Sequence, residues 1–353
     1  MPGARVSDLD YLAARLHGRR SRIAEAGRLQ ELCQSRTIPE LARAVFPGGE
    51  FQTCAEFQRR TLEDLLGELS YIEESLDGPG CSLLAWILVR FQVENLKVLL
   101  RGFMDHPPLE VVEEHLLSLP KILGLDARAL LAAETLEDFV GRLPKGLLRK
   151  ALRVALGTYR DQLRPFFFEV ALDRGYFQEL LDRARQLSGE EKDLVVPIIE
   201  HEVNSFLLML VVRGRFSYGL TPDLLMPLHI RRCGIPTDRF NAMIAASDPR
   251  AAAAFALGRA IDALPDEHDS NQTSVAIDCA ALEALAQSRF LRLANRACRR
   301  SHMGLGAIIG YACIRRVEVS NLITLSEGIR IGVAPDVIGS RLIPRCNQEV
   351  AYV

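Results

Sequence analysis

Apolar side chains recur with the spacing of an α-helix over most of this chain, and long strand-like alternations of Val, Ile and Thr are absent. Near the carboxyl end, Val319, Leu322 and Ile323 form one apolar stripe at positions i, i+3 and i+4. Residues 83–100 and 206–212 are apolar almost all round, which predicts deeply buried helices. The pattern as a whole predicts an all-α protein.

A short turn follows the apolar stripe. Gly328 is predicted to supply the left-handed residue that ends the helix, and Gly332 to open the turn. Pro335 and Asp336 suit the first turn of the next helix, because proline loses no hydrogen bond there and an acid meets the positive helix end. The segment therefore predicts a helix, a glycine turn and a second helix.

The same order of residues occurs three times along the chain. An asparagine precedes a glycine by seven to ten positions at Asn95–Gly102, Asn204–Gly214 and Asn321–Gly328. A Gly-x-x-Pro-Asp sequence follows in the second and third copies and contains Pro222 and Pro335.

The asparagines are 109 and 117 residues apart, about a third of the chain each time. We interpret this spacing as three diverged copies of one helical unit, at residues 1–108, 109–227 and 228–353. The alternative is that an asparagine before a glycine recurs by chance in a Leu-rich helical protein.

Composition narrows the class of protein further. At 48% apolar residues, a chain of 353 residues can bury large cores, and 7% aromatic residues with abundant Leu, Ala, Arg and Glu favour helices. A formal net charge of −2 implies no general attraction to nucleic acid or acidic lipid. The eight cysteines form no zinc-binding or redox pattern, so we expect small buried side chains in a reducing compartment.

Two stretches bear on the location of the protein. The first twenty residues lack the apolar core of a signal peptide, and residues 5–32 are predicted to form one long helix. The longest apolar run, residues 304–314, is too short to cross a bilayer. The sequence therefore predicts a soluble cytosolic protein, which is compatible with a position against a membrane complex.

The sequence contains only weak candidates for a catalytic or ligand-binding site. Residues 304–310 resemble a dinucleotide-binding loop, but they contain one residue too many and follow a helix, so we predict a close approach of two helices instead. The acidic residues around His268, at 266–269, could hold a metal, but adjacent residues converge poorly on one ion and a solvated loop is favoured. We predict no catalytic, cofactor-binding or metal-binding residue.

Two pairs of adjacent arginines have two possible roles. Arg231-Arg232 and Arg299-Arg300 suit positions near the carboxyl end of a helix, where a cation is favourable. The placement near a helix end is favoured, and contact with an acidic partner is the alternative.

Several segments, in their order along residues 10–343, resemble the C subunit of bacterial and archaeal V-type (A-type) ATPases, whose eukaryotic relative is the d subunit. The matching segments are Tyr11-x-x-x-Arg15, Asn95-Leu96-Lys97 with Arg101, Leu143-Pro144, Leu172-Asp173-Arg174-x-Tyr176-Phe177, Asn204 with Arg213, and Glu318-x-x-Asn321-Leu322 with Gly328.

The resemblance implies a non-catalytic part of a rotary motor. Members of this family are funnel-shaped helical proteins with pseudo-three-fold symmetry and a central cavity. They lie on the cytoplasmic face of the membrane rotor ring, receive the tip of the central shaft, and transmit torque between ATP turnover and proton or sodium transport. No cofactor, nucleic acid or small-molecule substrate is implied. The alternative is a helical adaptor without a motor role, because a fold does not fix a function.

Overall fold

The computed structural model describes residues 5–258, 261, 279–301 and 303–344, with side chains from residue 11 onward. Every regular element in these ranges is helical and no strand occurs there, which confirms the predicted all-α class. The α-helices are α1 Arg5–Arg20, α2 Ala26–Leu32, α3 Ile38–Val45, α4 Cys54–Glu74, α5 Gly78–Asp105, α6 Leu109–Glu114, α7 Ala127–Leu131, α8 Leu136–Arg142, α9 Leu147–Thr158, α10 Pro165–Ala184, α11 Gly189–Val211, α12 Pro222–Leu225, α13 Thr237–Ala245, α14 Pro249–Leu257, α15 Cys279–Arg300, α16 Leu305–Arg330 and α17 Pro335–Arg341.

Shorter helical turns of other types complete the chain. A π-helical segment, Val212–Ser217, continues directly from α11, and 3₁₀ turns occur at Lys121–Leu123 and Met226–Leu228.

The chain divides into two compact units. Unit 1 contains Met1–Cys81, Ser188–Ile198 and Glu283–Val353, and unit 2 contains Ser82–Leu187 and Ile199–Leu282. Helices α5, α11 and α15 contribute residues to both units. The boundaries predicted from the sequence at 108/109 and 227/228 stay predictions.

The core of unit 1 forms around α16, which packs against α1, α3 and α4. Its apolar stripe places Leu322 and Leu325 against Leu41 of α3 and Phe57 of α4, and Ile338 of α17 joins the same cluster. All five side chains are buried. Fully burying a side chain of this kind stabilises the folded state by roughly 1.5–3 kcal/mol, so this cluster fixes α16 among its neighbours.

The core of unit 2 depends on α9, α10 and the second half of α11. The ring of Tyr159 stacks on Phe167 with centroids 4.3 Å apart, which joins the end of α9 to the start of α10. Trp86 of α5 donates from Nε1 to the carbonyl of Tyr176 at 2.9 Å. Leu208 lies fully buried within the apolar stretch of α11.

The stretch Gly189–Ser217 is long and apolar enough, by length and composition alone, to cross a membrane. More than half of its most apolar window is buried inside the protein, at 56%. Core helices of soluble proteins meet the same criteria, so this property does not by itself indicate a membrane span.

The prediction of one helix over residues 5–32 is wrong. Helix α1 ends at Arg20 and α2 begins at Ala26, which has a positive φ of 46°. Between them, the backbone N–H of Ala24 donates to Oε1 of Glu318 at 2.6 Å. The N–H of Ala24 therefore bonds to a carboxylate 294 residues away and not to a carbonyl within a helix. This long-range bond stabilises the turn between α1 and α2.

The glycine-rich stretch 304–310 brings two helices together, as the sequence analysis favoured. A Cβ added to Gly310 would lie 2.7 Å from the carbonyl oxygen of Ala294 and 2.8 Å from the backbone nitrogen of Cys298. Such distances leave no space for a side chain, so α16 approaches the backbone of α15 closely at this point.

Candidate functional site

One turn-and-helix arrangement occurs three times in the described chain, and we call each copy a tip element. A tip element consists of the end of a long helix, a residue with positive φ and a short helix. The positive φ values are 52° at His106, 61° at Gly219 and 74° at Gly332. The short helices are α6, α12 and α17, and their N-cap residues are Pro108, Thr221 and Ala334.

Each tip element is closed by a glycine against which the short helix packs. An added Cβ at the glycine would lie 2.9, 2.7 and 2.6 Å from the facing side chain in the pairs Gly102–Val112, Gly214–Leu225 and Gly328–Ile338. Gly328 therefore serves close packing inside α16. The prediction that it is the left-handed residue is wrong, because Gly332 adopts the positive φ.

The three tip elements are evenly spaced along the sequence. The facing residues Val112, Leu225 and Ile338 are 113 residues apart in both intervals. The second copy holds one additional residue between Gly214 and the positive-φ glycine, and the π-helical segment Val212–Ser217 accommodates it. Pro222 and Pro335 begin their short helices, as the sequence predicts for a proline in a first turn.

The asparagines of the first and third copies hold the chain that follows their tip elements. The Asn95 amide donates to the carbonyl of Leu117 at 2.9 Å and accepts from the backbone N–H of Leu117 at 2.8 Å. The Asn321 amide donates to the carbonyl of Ile343 at 2.7 Å and accepts from its N–H at 2.9 Å.

Asn204 does not share this geometry. Its buried Oδ1 accepts no hydrogen bond, and its amide lies against Gly234, where an added Cβ would be 2.6 Å from Nδ2. Asn95 and Asn321 lie seven residues before their glycines, and Leu207 rather than Asn204 holds that position before Gly214. The described geometry therefore groups Asn95 with Asn321 only.

Glu318, three residues before Asn321, belongs to a buried network of charges in unit 1. Arg315 contacts Glu318, and its guanidinium also donates to Glu68 and Asp64, at 2.8 Å each. Arg19 binds the same carboxylate of Glu68 at 2.6 Å. Sequence reasoning missed Glu68 and Asp64, because nothing local signals a partner about 250 residues away.

The carboxylates of this network stabilise the charged form of Arg315. Burial alone would lower the pKa of Arg315, but the carboxylates of Glu318 and Glu68 outweigh that effect and raise it. Burial and the nearby Glu68 raise the pKa of Tyr311, whose hydroxyl donates to Glu68 at 2.8 Å. Arg315 therefore stays charged and Tyr311 neutral, and the network joins α4 to α16 through paired charges.

A second ion-pair cluster, in unit 2, joins two of the segments that carried the family resemblance. Lys97 is buried, and its Nζ lies 2.7 Å from Oδ1 of Asp173 on α10. Arg90 binds the same oxygen at 2.8 Å and Glu94 at 2.6 Å. The Asn-Leu-Lys and Leu-Asp-x-x-Tyr-Phe segments therefore meet through their charged residues.

The cysteines closest to polar groups are poor nucleophiles. Burial raises the pKa of the Cys54 thiol, which contacts Glu327 at 3.6 Å. Burial likewise raises the pKa of Cys233, which lies 3.8 Å from Nε2 of His229 and donates to the carbonyl of Ile235. A protonated thiol attacks slowly, so neither arrangement resembles a cysteine catalytic centre.

The remaining candidates from the sequence lie on the surface or outside the described ranges. No group of three His, Cys, Asp or Glu side chains could hold a metal ion within the described ranges. Residues 266–269, weighed as a metal loop, lie outside those ranges. Arg231 and Arg232 are exposed in the loop after Met226–Leu228, and Arg299 and Arg300 are exposed in the last turn of α15. The position of Arg299-Arg300 suits the helix dipole, and the exposure of all four arginines suits an acidic partner.

Comparison with known proteins identifies the family to which this chain belongs. The ATP synthase (C/AC39) subunit family matches residues 12–341. The A-type ATP synthase C subunit of Methanocaldococcus jannaschii is 20% identical over 349 residues, which covers 94% of this chain and 86% of the relative. The protein of the same name from Haloferax volcanii is 22% identical over 359 residues, with 96% and 98% covered. The match extends over nearly the whole described chain, and the chain belongs to the ATP synthase (C/AC39) subunit family.

Proposed function

We propose that this chain is the non-catalytic connector of the central rotor in a V/A-type ATPase. It joins the central shaft to the membrane rotor ring and transmits torque for proton or sodium transport coupled to ATP hydrolysis or synthesis. The observation that carries this proposal is the family match over residues 12–341, together with curated relatives that are subunits of A-type ATP synthases.

The three tip elements support a socket built from three similar units. Their regular spacing of 113 residues is expected if the chain contains three diverged copies of one unit. Three such units around one axis form a funnel whose central cavity grips a shaft. Torque then passes through many distributed contacts, and no catalytic residue is needed.

The proposed location follows from the proposed partners. The chain lies on the cytoplasmic face of the membrane, held there through the rotor ring. The exposed pairs Arg231-Arg232 and Arg299-Arg300 are candidates for contacts with the shaft or ring. Because a specific interface spreads over roughly 20–30 residues a side, changing one of these arginines weakens assembly only modestly.

The experiment compares two activities in membranes with and without this chain. ATP hydrolysis by the soluble head should persist without it, since catalysis lies in other subunits. Ion pumping should be lost, because the shaft would turn without gripping the ring. Restoring the chain should restore pumping.

Two results would contradict the proposal. Pumping that survives complete removal of the chain would exclude a rotor connector and favour a helical adaptor. Loss of hydrolysis by a head reconstituted without the chain would indicate a direct catalytic contribution.

A further inference from the structure

Helix α9 and the residue before its N-cap carry a dense group of cations. Between residues 142 and 164 there are seven Lys or Arg side chains and one acid, Asp161, although the whole chain has a net charge of −2. Four of these cations line an open cleft of about 580 Å³ together with Gly146 and Val154. We call these four residues the basic face: Lys145, Arg149, Lys150 and Arg153.

The basic face lacks counter-charges within its own unit. Lys145, Lys150 and Arg153 are exposed, and the described chain supplies no hydrogen bond or ion pair to their side chains. Arg149 donates to the carbonyl of Leu143 at 3.1 Å, while its buried Nε has no acceptor. These cations are therefore available to a partner.

The acids of α10, one of the helices packed against α9, are already bonded to other groups. In α10 the pairs are Glu169 with Arg101, Asp173 with Lys97, Glu179 with Arg183, and Asp182 with the amide of Gln178. No acid of α10 therefore neutralises the basic face.

The position of these cations on the helix opposes the helix dipole. Arg149 and Lys150 lie at the amino end of α9, where its N-cap, Gly146, makes no side-chain bond and the first turn contains no acid. A cation at this end is unfavourable for the helix, whereas an anion there is favourable. An anionic partner would thus satisfy both the side chains and the helix end.

We propose that the basic face is a docking site for an acidic polypeptide segment that carries apolar side chains among its carboxylates. Two apolar side chains of α9 are exposed beside the cations, Leu147 at 38% and Val154 at 54%, and they match such a segment. The concave cleft fits a chain better than the flat surface of a bilayer. None of its lining residues is aromatic, whereas single-stranded nucleic acid is bound by stacking on aromatic rings.

The test measures binding of a labelled peptide to the full-length chain by fluorescence anisotropy. The probe is a fluorescein-labelled peptide of repeated Glu-Glu-Leu triplets, and the same peptide with Gln in place of Glu removes its charge. The variant is Lys150→Glu/Arg153→Glu. The matched control is Arg292→Glu/Arg296→Glu, which makes the same charge change at two exposed arginines on α15.

We expect the acidic peptide to bind the unchanged chain and to bind Lys150→Glu/Arg153→Glu about tenfold more weakly, from two lost ion pairs and added repulsion. The control variant should keep its affinity, and rising salt should weaken binding. Melting temperatures should not fall in either variant, since the changed side chains are exposed and an acid at position 150 suits the amino end of α9. If charge reversal disturbs folding, Lys150→Gln/Arg153→Gln should give a smaller loss in the same direction.

Three results would overturn the proposal. Equal loss of binding in both charge-reversed variants would show a general response to net charge. Equal binding of the Gln peptide would exclude recognition of carboxylates. Tighter binding to phosphatidylserine vesicles or single-stranded DNA, lost in Lys150→Glu/Arg153→Glu, would assign the basic face to a lipid surface or nucleic acid.

Discussion

Asn95 and Asn321 lie in different compact units, yet each clamps the backbone of the residue 22 positions later through the same pair of hydrogen bonds. Each amide satisfies one N–H and one C=O of a segment that forms no helix at that point. A side chain thus replaces the ladder of bonds that regular structure would supply.

Replacing Asn321 with Leu should lower the free energy of unfolding by about 1–3 kcal/mol, because both polar groups of Ile343 lose their partner. Asn204→Leu is the matched control, since Oδ1 of Asn204 accepts no hydrogen bond. Urea unfolding checks both variants. Equal losses at the two positions would show that the Asn321 clamp does not stabilise the fold.

Gly328→Ala should destabilise the protein, because the added Cβ would lie 2.6 Å from Cδ1 of Ile338. Such overpacking costs typically about 1–3 kcal/mol. Gly67→Ala, inside α4 with open space around it, should instead stabilise by roughly 0.5–1 kcal/mol.

The double variant Gly328→Ala/Ile338→Ala tests the cause of that loss. Removing the Ile338 side chain also removes the clash, so the two changes should cost less together than the sum of their separate effects. Additive losses, measured by thermal or urea unfolding, would argue against direct contact as the cause.

Asp173→Asn should be more damaging than Glu169→Gln. The Asp173 side chain is 15% exposed and binds both Lys97 and Arg90, so its neutralisation leaves these cations with only the more exposed Glu94, at a cost of about 1–3 kcal/mol. Glu169 pairs with Arg101, whose side chain is 56% exposed, and such a pair contributes about 0–1 kcal/mol. Comparing the two free energies of unfolding checks this order, and equal values would contradict it.

The ionisation of Tyr159 should destabilise the folded protein at alkaline pH. Burial raises its pKa from 10.0 to about 12, so the folded state keeps a proton that the unfolded state releases. Its contribution is fully present below pH 10 and is lost as the pH rises towards 12.

Tyr159→Phe isolates this contribution, because all other titrating groups are shared with the unchanged chain. The difference in free energy of unfolding between the two proteins should fall as the pH passes through this range. A difference that stays constant with pH would mean that Tyr159 ionises equally in both states.

Local periodicity carried much of the information that the sequence holds about this fold. The stripe of Val319, Leu322 and Ile323 and the apolar stretch 206–212 indicated helices, because burial of one face imposes a helical spacing. Proline at 335 marked the start of α17, because its ring prefers the first turn of a helix. The ordered motifs also indicated the family, which the match over residues 12–341 shows.

Contacts between residues that are distant in the sequence decided the features of the fold that local periodicity did not predict. Gly328 looked like a helix terminator, but Ile338 packs against it and makes it a point of close approach inside α16. The predicted helix over 5–32 breaks where Glu318 binds the N–H of Ala24. The sequence determined the helical class and the turn marked by Gly332 and Pro335, since these depend on neighbours along the chain. Only the tertiary structure decided the roles of Gly328, Glu318 and the asparagines, since the groups that they contact become neighbours only on folding.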